Sequence, residues 1–146
     1  MTGSGNTNDS TGTFTTIAES ECRDLLAGGA VGRIAFNSTA GIQLLPLNYL
    51  YLGGNVYCRV DADSILGELA AGSVDVAFGV EYVDELVKEA WNVMVKGRIG
   101  AVTEAEEMAP LLHQRKLESW ALGDRQLYLR LEPVTITGRK VKRNAP

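Results

Sequence analysis

The chain contains few of the residues on which catalysis and metal binding most often depend. Its 146 residues include one histidine, His113, and two cysteines, Cys22 and Cys58. A single histidine in a charged helical pattern supports no Ser-His-Asp or Cys-His arrangement, and His113 is better explained as a solvated surface residue. The cysteines lack the spacing of metal ligands and lie in apolar patterns, so we expect them to be reduced and buried. We therefore predict no metal site, and the sequence offers no catalytic arrangement of residues for hydrolysis.

Other absences exclude further classes of protein. The sequence has no G-x-G-x-x-G, no P-loop and no apolar run as long as a membrane span. A net charge of -4 argues against a protein that coats nucleic acid. The first 13 residues are small and polar and lack the apolar core of a signal peptide. We expect a cytoplasmic protein that binds neither membrane nor nucleic acid, with a disordered tail at 1–13, one domain at 14–142 and a C-terminal tail at 143–146.

The hydrophobic pattern predicts about six β-strands, joined mostly by hairpins, with short helices between them. Helical patterns cover residues 15–29, 64–72 and 104–119. Glu19 or Ser20 should cap the first of these helices, and Thr103 with Glu106 should form a capping box for the last. Antiparallel hairpins with bulge-forming glycine and proline favour closure into a small barrel.

Three positions make more specific predictions about the sheet. Pro46 removes a ladder donor in the middle of a strand pattern, so it should lie on an edge strand or at a bulge. Gly97 suggests a bulge or a close backbone approach. In the strand 73–83, the alternation of apolar residues should place Val74 on the same buried face as its i+2 neighbours.

Four side chains in apolar surroundings are candidates for ligand contacts. Asn48 and Asn92 lie in otherwise apolar strands, where a buried amide needs hydrogen bonds from a ligand or from neighbouring backbone. Trp91 and Trp120 can pack on a planar cofactor, or fill the core or a dimer interface. For each residue taken alone, the purely structural explanation is favoured.

Taken together, several segments in order resemble the pyridoxamine 5'-phosphate oxidase-like flavoproteins. They are LLPLNYLYLGGNVYCRVDADSIL, WNVMVKGRIGAVTEAEE and SWALGDRQLYLRLEPVTITGRKV, and PLNYL, WNVMVKG and ITGRK are the most specific parts. The match covers residues 17–141 and is similar above all to the small bacterial branch with nitroimidazole-resistance-type proteins. It implies a six-stranded antiparallel split β-barrel of the FMN-binding type. It also implies a homodimer that binds FMN in a cleft between the subunits.

The resemblance further implies which residues surround FMN. One strand would run along the flavin ring, a second would meet the edge of the ring, a turn would hold the phosphate, and a tryptophan would approach from the partner subunit. In that order these residues are Leu45, Pro46, Leu47, Asn48 and Tyr49; Trp91 and Asn92; Arg59, Val60, Ser64 and Ile65; and Trp120.

The phosphate turn departs from the family pattern. Relatives read close to RTAEGSKL where this chain reads RVDADSIL, so Val60, Asp63 and Ile65 replace threonine, glycine and lysine. The loss of one charge-assisted hydrogen bond lowers affinity roughly ten- to a hundredfold, and Asp63 would add repulsion if it pointed inward. The turn resembles a phosphate cradle with several supports removed.

Three functions remain open at this point, and the sequence assigns no catalytic residue. The first is an FMN-dependent oxidoreductase of unknown substrate, in which the flavin carries the hydride chemistry. The second is a non-catalytic binder of another cofactor, such as a deazaflavin or a haem-like molecule, or of a weakly held flavin. The third is a structural dimer with a degenerate flavin site.

Overall fold

The computed structural model describes residues 12–118 and 125–143 and shows a mainly β protein. Within these ranges eight strands form one sheet with antiparallel pairing throughout. In chain order the strands are β1 (Thr13–Thr16), β2 (Val31–Ser38), β3 (Gly41–Asn48), β4 (Leu50–Leu52), β5 (Asn55–Asp61), β6 (Ser73–Asp84), β7 (Glu89–Ala101) and β8 (Gln126–Lys142).

The helical segments of the described chain are short. They are α1 (Glu19–Gly28), a 3₁₀ helix (Ile65–Ala71), α2 (Ala105–Met108) and two 3₁₀ turns (Ala109–Leu111 and Arg115–Leu117). We call residues 104–118, which contain α2 and both 3₁₀ turns, the cap segment.

The sheet has the strand order β3-β2-β6-β7-β8-β5-β4, and β1 pairs with the end of β8. It curls into a split barrel, which confirms the predicted fold class. Alternate side chains point into the barrel, and Val93 and Val95 of β7 are both fully buried there. Cys22 and Leu26 of α1 join the same core. On the opposite face of the sheet, Tyr57 and Tyr128 pack in a second cluster with Leu111 and Leu117 of the cap segment.

The predicted strand count is slightly too low. Thr13, which the sequence placed in a disordered tail, begins β1 and pairs with Lys142. The sequence predicts two strands between residues 126 and 142, but this stretch forms one. Pro133 does not end the strand, because it lies at a register shift in the β7–β8 ladder. The predicted strand 42–52 is divided at Tyr49, whose amide donates to the carbonyl of Ala30. Residues 1–11 and 144–146 lie outside the described residues.

Two of the three specific predictions about the sheet are confirmed. Pro46 lies on β3, which is the last strand at one edge of the sheet, where the missing N–H donor breaks no internal ladder. Gly97 lies at the register shift of β7 and β8, and a side chain there would overlap the backbone of β8. The prediction for Val74 is wrong. It is 70% exposed because the β6–β7 register shifts between Ser73 and Val76.

The predicted helix boundaries need more correction. The N-cap of α1 is Ala18, and the N-cap of α2 is Glu104 instead of Thr103; neither makes a side-chain cap hydrogen bond. The helix expected over 104–119 breaks into the pieces of the cap segment, because Pro110, in the first 3₁₀ turn, cannot continue the α-helix. The helix expected over 64–72 is a 3₁₀ helix that begins after Ser64.

Both cysteines are free and buried, as predicted. Burial raises the pKa of the Cys58 thiol to about 12, so it stays protonated at neutral pH. His113 is exposed on the cap segment. Among the described residues, no helix is both long enough and apolar enough to cross a membrane.

Candidate functional site

A cavity of about 390 Å³ opens between β3, the end of β5 and the cap segment. This volume lies in the usual range for small-molecule sites. The lining combines an apolar wall with a few polar groups from the phosphate turn and the cap segment. The lining residues are Val31, Pro46, Leu47, Asn48, Arg59, Val60, Asp61, Ser64, Leu66, Leu117 and Glu118. We call this space the main cavity.

Strand alternation places the polar residues of β5 at the main cavity. Val60 is 5% exposed and belongs to the barrel core, so Arg59 and Asp61 on either side point to the opposite face. On the neighbouring strand β8, Tyr128 lies opposite Arg59. The end of β5 therefore brings a cation and an aromatic ring together outside the barrel core.

Arg59 carries a buried donor that the described residues leave unpaired. Its Nε atom is buried and has no hydrogen-bond partner. The guanidinium carbon lies 5.7 Å from the centre of the Tyr128 ring, which is a cation–π distance. Leaving such a donor unpaired costs about 1–3 kcal/mol, so an anionic acceptor in the cavity would recover this free energy. This group fits an anionic ligand.

The turn after β5 is ordered by its own polar groups. The Ser64 hydroxyl donates to the Asp61 carbonyl at 2.7 Å, and the Asp63 amide donates to the Asp61 carboxylate at 2.9 Å. The Asp63 carboxylate forms an ion pair with Arg125 at 2.8 Å and is not part of the cavity lining. The carboxylate that lines the cavity is therefore that of Asp61, and not that of Asp63. The charge of Asp63 is balanced by Arg125.

The cap segment closes one side of the main cavity and is fastened to the barrel. Lys116 Nζ donates to the carbonyls of Ala27 at 3.1 Å and Gly29 at 2.8 Å, at the end of α1. The amide of Asn48 donates to the carbonyl of Glu118 at 3.4 Å. These bonds hold Glu118 beside the strand that forms the apolar wall.

A polar network fastens the other end of the cap segment. Glu107 of α2 accepts hydrogen bonds from the Tyr57 hydroxyl at 2.7 Å and from Arg130 at 2.5 Å. The Arg130 hydrogen bond is the main reason that the pKa of Glu107 is lowered, and the bond from Tyr57 adds to this effect. The same bond raises the pKa of Arg130. Both groups therefore stay charged across the neutral range.

The structure brings half of the predicted site residues together. Six of the twelve line the main cavity: Pro46, Leu47, Asn48, Arg59, Val60 and Ser64. Leu45 and Ile65 instead pack against the barrel core, and Tyr49 is fully buried, with its hydroxyl donating to the Leu26 carbonyl at 2.6 Å. Contact between FMN and any of these residues stays a prediction.

Trp91 and Asn92 line a different surface. They belong to a groove of about 300 Å³, the second groove, where β1, β6, β7 and β8 meet; the other lining residues are Phe14, Glu81, Val83, Ala90, Arg139, Lys140 and Val141. Trp91 stacks on Tyr82 with ring centres 6.1 Å apart, and Asn92 is exposed. The main cavity and the second groove share no lining residue. Trp120 lies outside the described residues.

Sequence reasoning missed several residues around the main cavity. The alternation in the segment QLYLRL could have placed Tyr128 on the outer face, because leucines occupy the inward positions. Leu117 and Glu118 reach the cavity through the path of the cap segment, and Arg125, which precedes β8, pairs with Asp63 of the phosphate turn. Both arrangements depend on contacts between segments that are distant in sequence, for which a local pattern carries no signal.

The fold and site define a split-barrel protein with an apolar cavity that is lined in part by Arg59, whose buried Nε is unpaired among the described residues. The described residues contain no group of three metal-type side chains. The absence of a metal site remains a prediction. The family model for pyridoxamine 5'-phosphate oxidase matches residues 18–140. The chain belongs to this family.

The chain is also similar to individual proteins, and the solved structures among them share its fold. An uncharacterized protein of Mycobacterium tuberculosis is 27% identical over 125 residues, which covers 83% of this chain and 81% of the relative. A candidate pyridoxamine 5'-phosphate oxidase of Corynebacterium glutamicum is similar in structure, with a TM-score of 0.73, 21% identity and coverage of 96% and 100% of the two chains. An FAD-binding protein of Mycobacterium smegmatis has a TM-score of 0.70 and 24% identity, with coverage of 87% and 97%.

Proposed function

We propose that this chain binds a flavin, and FMN in particular, in the main cavity, with the phosphate beside Arg59. The observation that carries this proposal is the buried Nε of Arg59, which lacks an acceptor among the described residues and lies where the family resemblance puts the phosphate. A phosphate oxygen is a strong acceptor, and its bond to a guanidinium is charge-assisted. The FAD-binding relative from Mycobacterium smegmatis supports a flavin as the class of ligand.

The flavin ring would lie against β3. Pro46 and Leu47 supply an apolar surface there, and the Asn48 side chain supplies the polar group at the end of the strand. The Asn48 amide makes one long hydrogen bond, of 3.4 Å, to the Glu118 carbonyl. Its carbonyl oxygen can therefore accept a bond from a ring N–H while the cap segment stays in place.

The family resemblance predicts a homodimer, and the outer face of the sheet is the surface we assign to it. Small residues at its centre, including Ala35, Ala77 and Gly79, lie beside Leu44, which is 62% exposed. A face with small residues and an exposed apolar side chain suits packing against a second copy. The second groove opens on the same side. A second copy would explain why Trp91 and Asn92 lie apart from the main cavity within one chain.

The bound flavin would supply hydride chemistry, and the chain's own residues would bind and orient it. The apolar wall and the cap segment would exclude water from one side of the ring. We propose a flavin-dependent oxidoreductase whose substrate is unknown, and a cytoplasmic location remains a prediction from the sequence alone.

A non-catalytic binder is the second candidate, and the charges of the main cavity favour it. Asp61 and Glu118 outnumber the single cation Arg59 among the described lining residues. Two carboxylates near a dianionic phosphate weaken its binding. The chain would then hold a flavin weakly, or hold another cofactor in the same cavity.

Two measurements test the proposed function. A ligand that binds only the folded state raises the melting temperature, so FMN at a hundredfold excess over its dissociation constant should add about 2.7 kcal/mol of stability. Arg59→Gln should remove most of this gain, whereas Arg98→Gln, on β7 and outside the cavity lining, should keep it. A colourless purified protein that gains no stability from FMN would reject the flavin proposal. A yellow protein that oxidises no nicotinamide cofactor and reduces no acceptor would favour the non-catalytic binder.

A further inference from the structure

A second guanidinium, that of Arg125, lies beside the turn whose residues Asp61 and Ser64 line the main cavity. Arg125 Nη1 lies 2.8 Å from the carboxylate of Asp63. The amide of Ala62 donates to the Arg125 carbonyl at 2.7 Å, so the backbone of Arg125 is tied to the phosphate turn. The neighbours of Asp63 and Ala62 in this turn, Ser64 and Asp61, both line the cavity. Arg125 is thus fixed beside the residues that would surround the phosphate.

The main cavity needs this additional positive charge if it is to hold a phosphate. A phosphate monoester carries about -1.5 to -2 charges at neutral pH. Arg59 is the one cation among the described lining residues, and Asp61 and Glu118 oppose it. The family resemblance also implies that a lysine has been replaced by Ile65. The positive charge at this end of the cavity is too small for the ligand unless another cation turns towards it.

We propose that Arg125 is a second phosphate-binding residue, which exchanges Asp63 for the phosphate when the ligand binds. Both members of this ion pair are well exposed, at 70% and 65% of their side-chain area, and exposed ion pairs stabilise a fold very little. A guanidinium gains more from a dianion to which it can donate two parallel hydrogen bonds. The exchange is therefore favourable, and Asp63 competes with the phosphate for Arg125.

This exchange accounts for two departures from the family pattern at once. The resemblance implies glycine in place of Asp63 and lysine in place of Ile65. Arg125 would replace the charge of the lost lysine, and Asp63 would balance the charge of that arginine when no phosphate is bound. Ile65 packs against the barrel core, where a charged side chain would be costly. In this chain the cation comes from the residue that precedes β8 instead of from the turn.

The test compares FMN with riboflavin, which has the same ring and lacks the phosphate. This inference rests on the proposed function, and the pair of ligands separates the two. Arg125→Gln should weaken FMN binding about tenfold and leave riboflavin binding unchanged. Asp63→Asn should strengthen FMN binding by up to about threefold, because it removes the competitor for Arg125. Arg23→Gln is the matched control, since Arg23 forms an exposed ion pair with Glu19 on α1, and it should change neither affinity.

Equilibrium titrations by fluorescence quenching, with melting curves to verify folding, measure all four proteins. If Arg125→Gln weakens both ligands equally, or neither, the inference is overturned while the flavin proposal stands. If Asp63→Asn weakens FMN binding as much as Arg125→Gln does, the exchange is overturned as well. A wild-type chain that binds neither ligand overturns the proposed function and this inference together.

Discussion

Tyr49 was predicted to contact the flavin ring, but the structure places it in the barrel core. The substitution Tyr49→Phe distinguishes a ligand contact from a role in core stability. Its hydroxyl donates to the Leu26 carbonyl at 2.6 Å, and its ring meets Phe78 edge-on at 4.9 Å between centres. The substitution keeps the ring and removes one buried hydrogen bond. The carbonyl of Leu26 at the end of α1 then loses its partner, which costs about 1–3 kcal/mol.

Urea unfolding followed by circular dichroism measures this loss, because the free energy falls linearly with denaturant. Tyr82→Phe is the control: its hydroxyl makes a 3.5 Å contact with Asp84 on the surface, and we expect a change below about 0.5 kcal/mol. FMN affinity should be the same in both variants. Equal stability of the two variants, or a large loss of FMN affinity in Tyr49→Phe alone, would contradict the placement of Tyr49.

Three further predictions concern the framework around the cavity. Gly97→Ala should destabilise the protein by about 2–3 kcal/mol in urea unfolding, because the methyl group would overlap a carbonyl of β8, whereas Gly28→Ala meets open space and should cost nothing. Glu107→Gln should cost about 1–2 kcal/mol at pH 7. Hydrogen bonds from Arg130 and Tyr57 lower the folded-state pKa of Glu107, so its contribution is present above the unfolded pKa and is lost as the pH falls through the folded value. Unfolding curves measured from neutral to acid pH should show the cost of the substitution shrink accordingly. Burial raises the pKa of Cys58 to about 12, so stability should decline between about pH 9 and 12, and an unfolding free energy that stays flat there would contradict this.

The alternation of apolar residues predicted the sheet because burial has a period of two along each strand. Val93 and Val95 of β7 follow that period and are fully buried. Pro46 was placed on an edge for a chemical reason that needs no tertiary information, the loss of a donor. The same reasoning failed at Val74, since a register shift changes which face a side chain occupies, and the sequence does not encode that shift locally.

Half of the candidate site was accessible from the sequence, because the phosphate turn and the wall on β3 are each continuous segments. The rest depends on contacts between segments that are far apart in the sequence. The Asp63–Arg125 pair joins residues 62 positions apart, and Lys116 fastens the cap segment to a carbonyl 87 positions away. Helix caps were also mistaken: Thr103 has the right chemistry, yet α2 begins one residue later than a capping box requires.

A crystal structure of the full chain grown with FMN tests the central claim most directly. We expect a dimer in which the phosphate accepts a hydrogen bond from Arg59 Nε, the ring lies on Pro46 and Leu47, and the second copy covers the outer face of the sheet. FMN bound elsewhere on the chain, or a monomer whose Arg59 Nε stays unpaired beside an ordered flavin, would contradict the account.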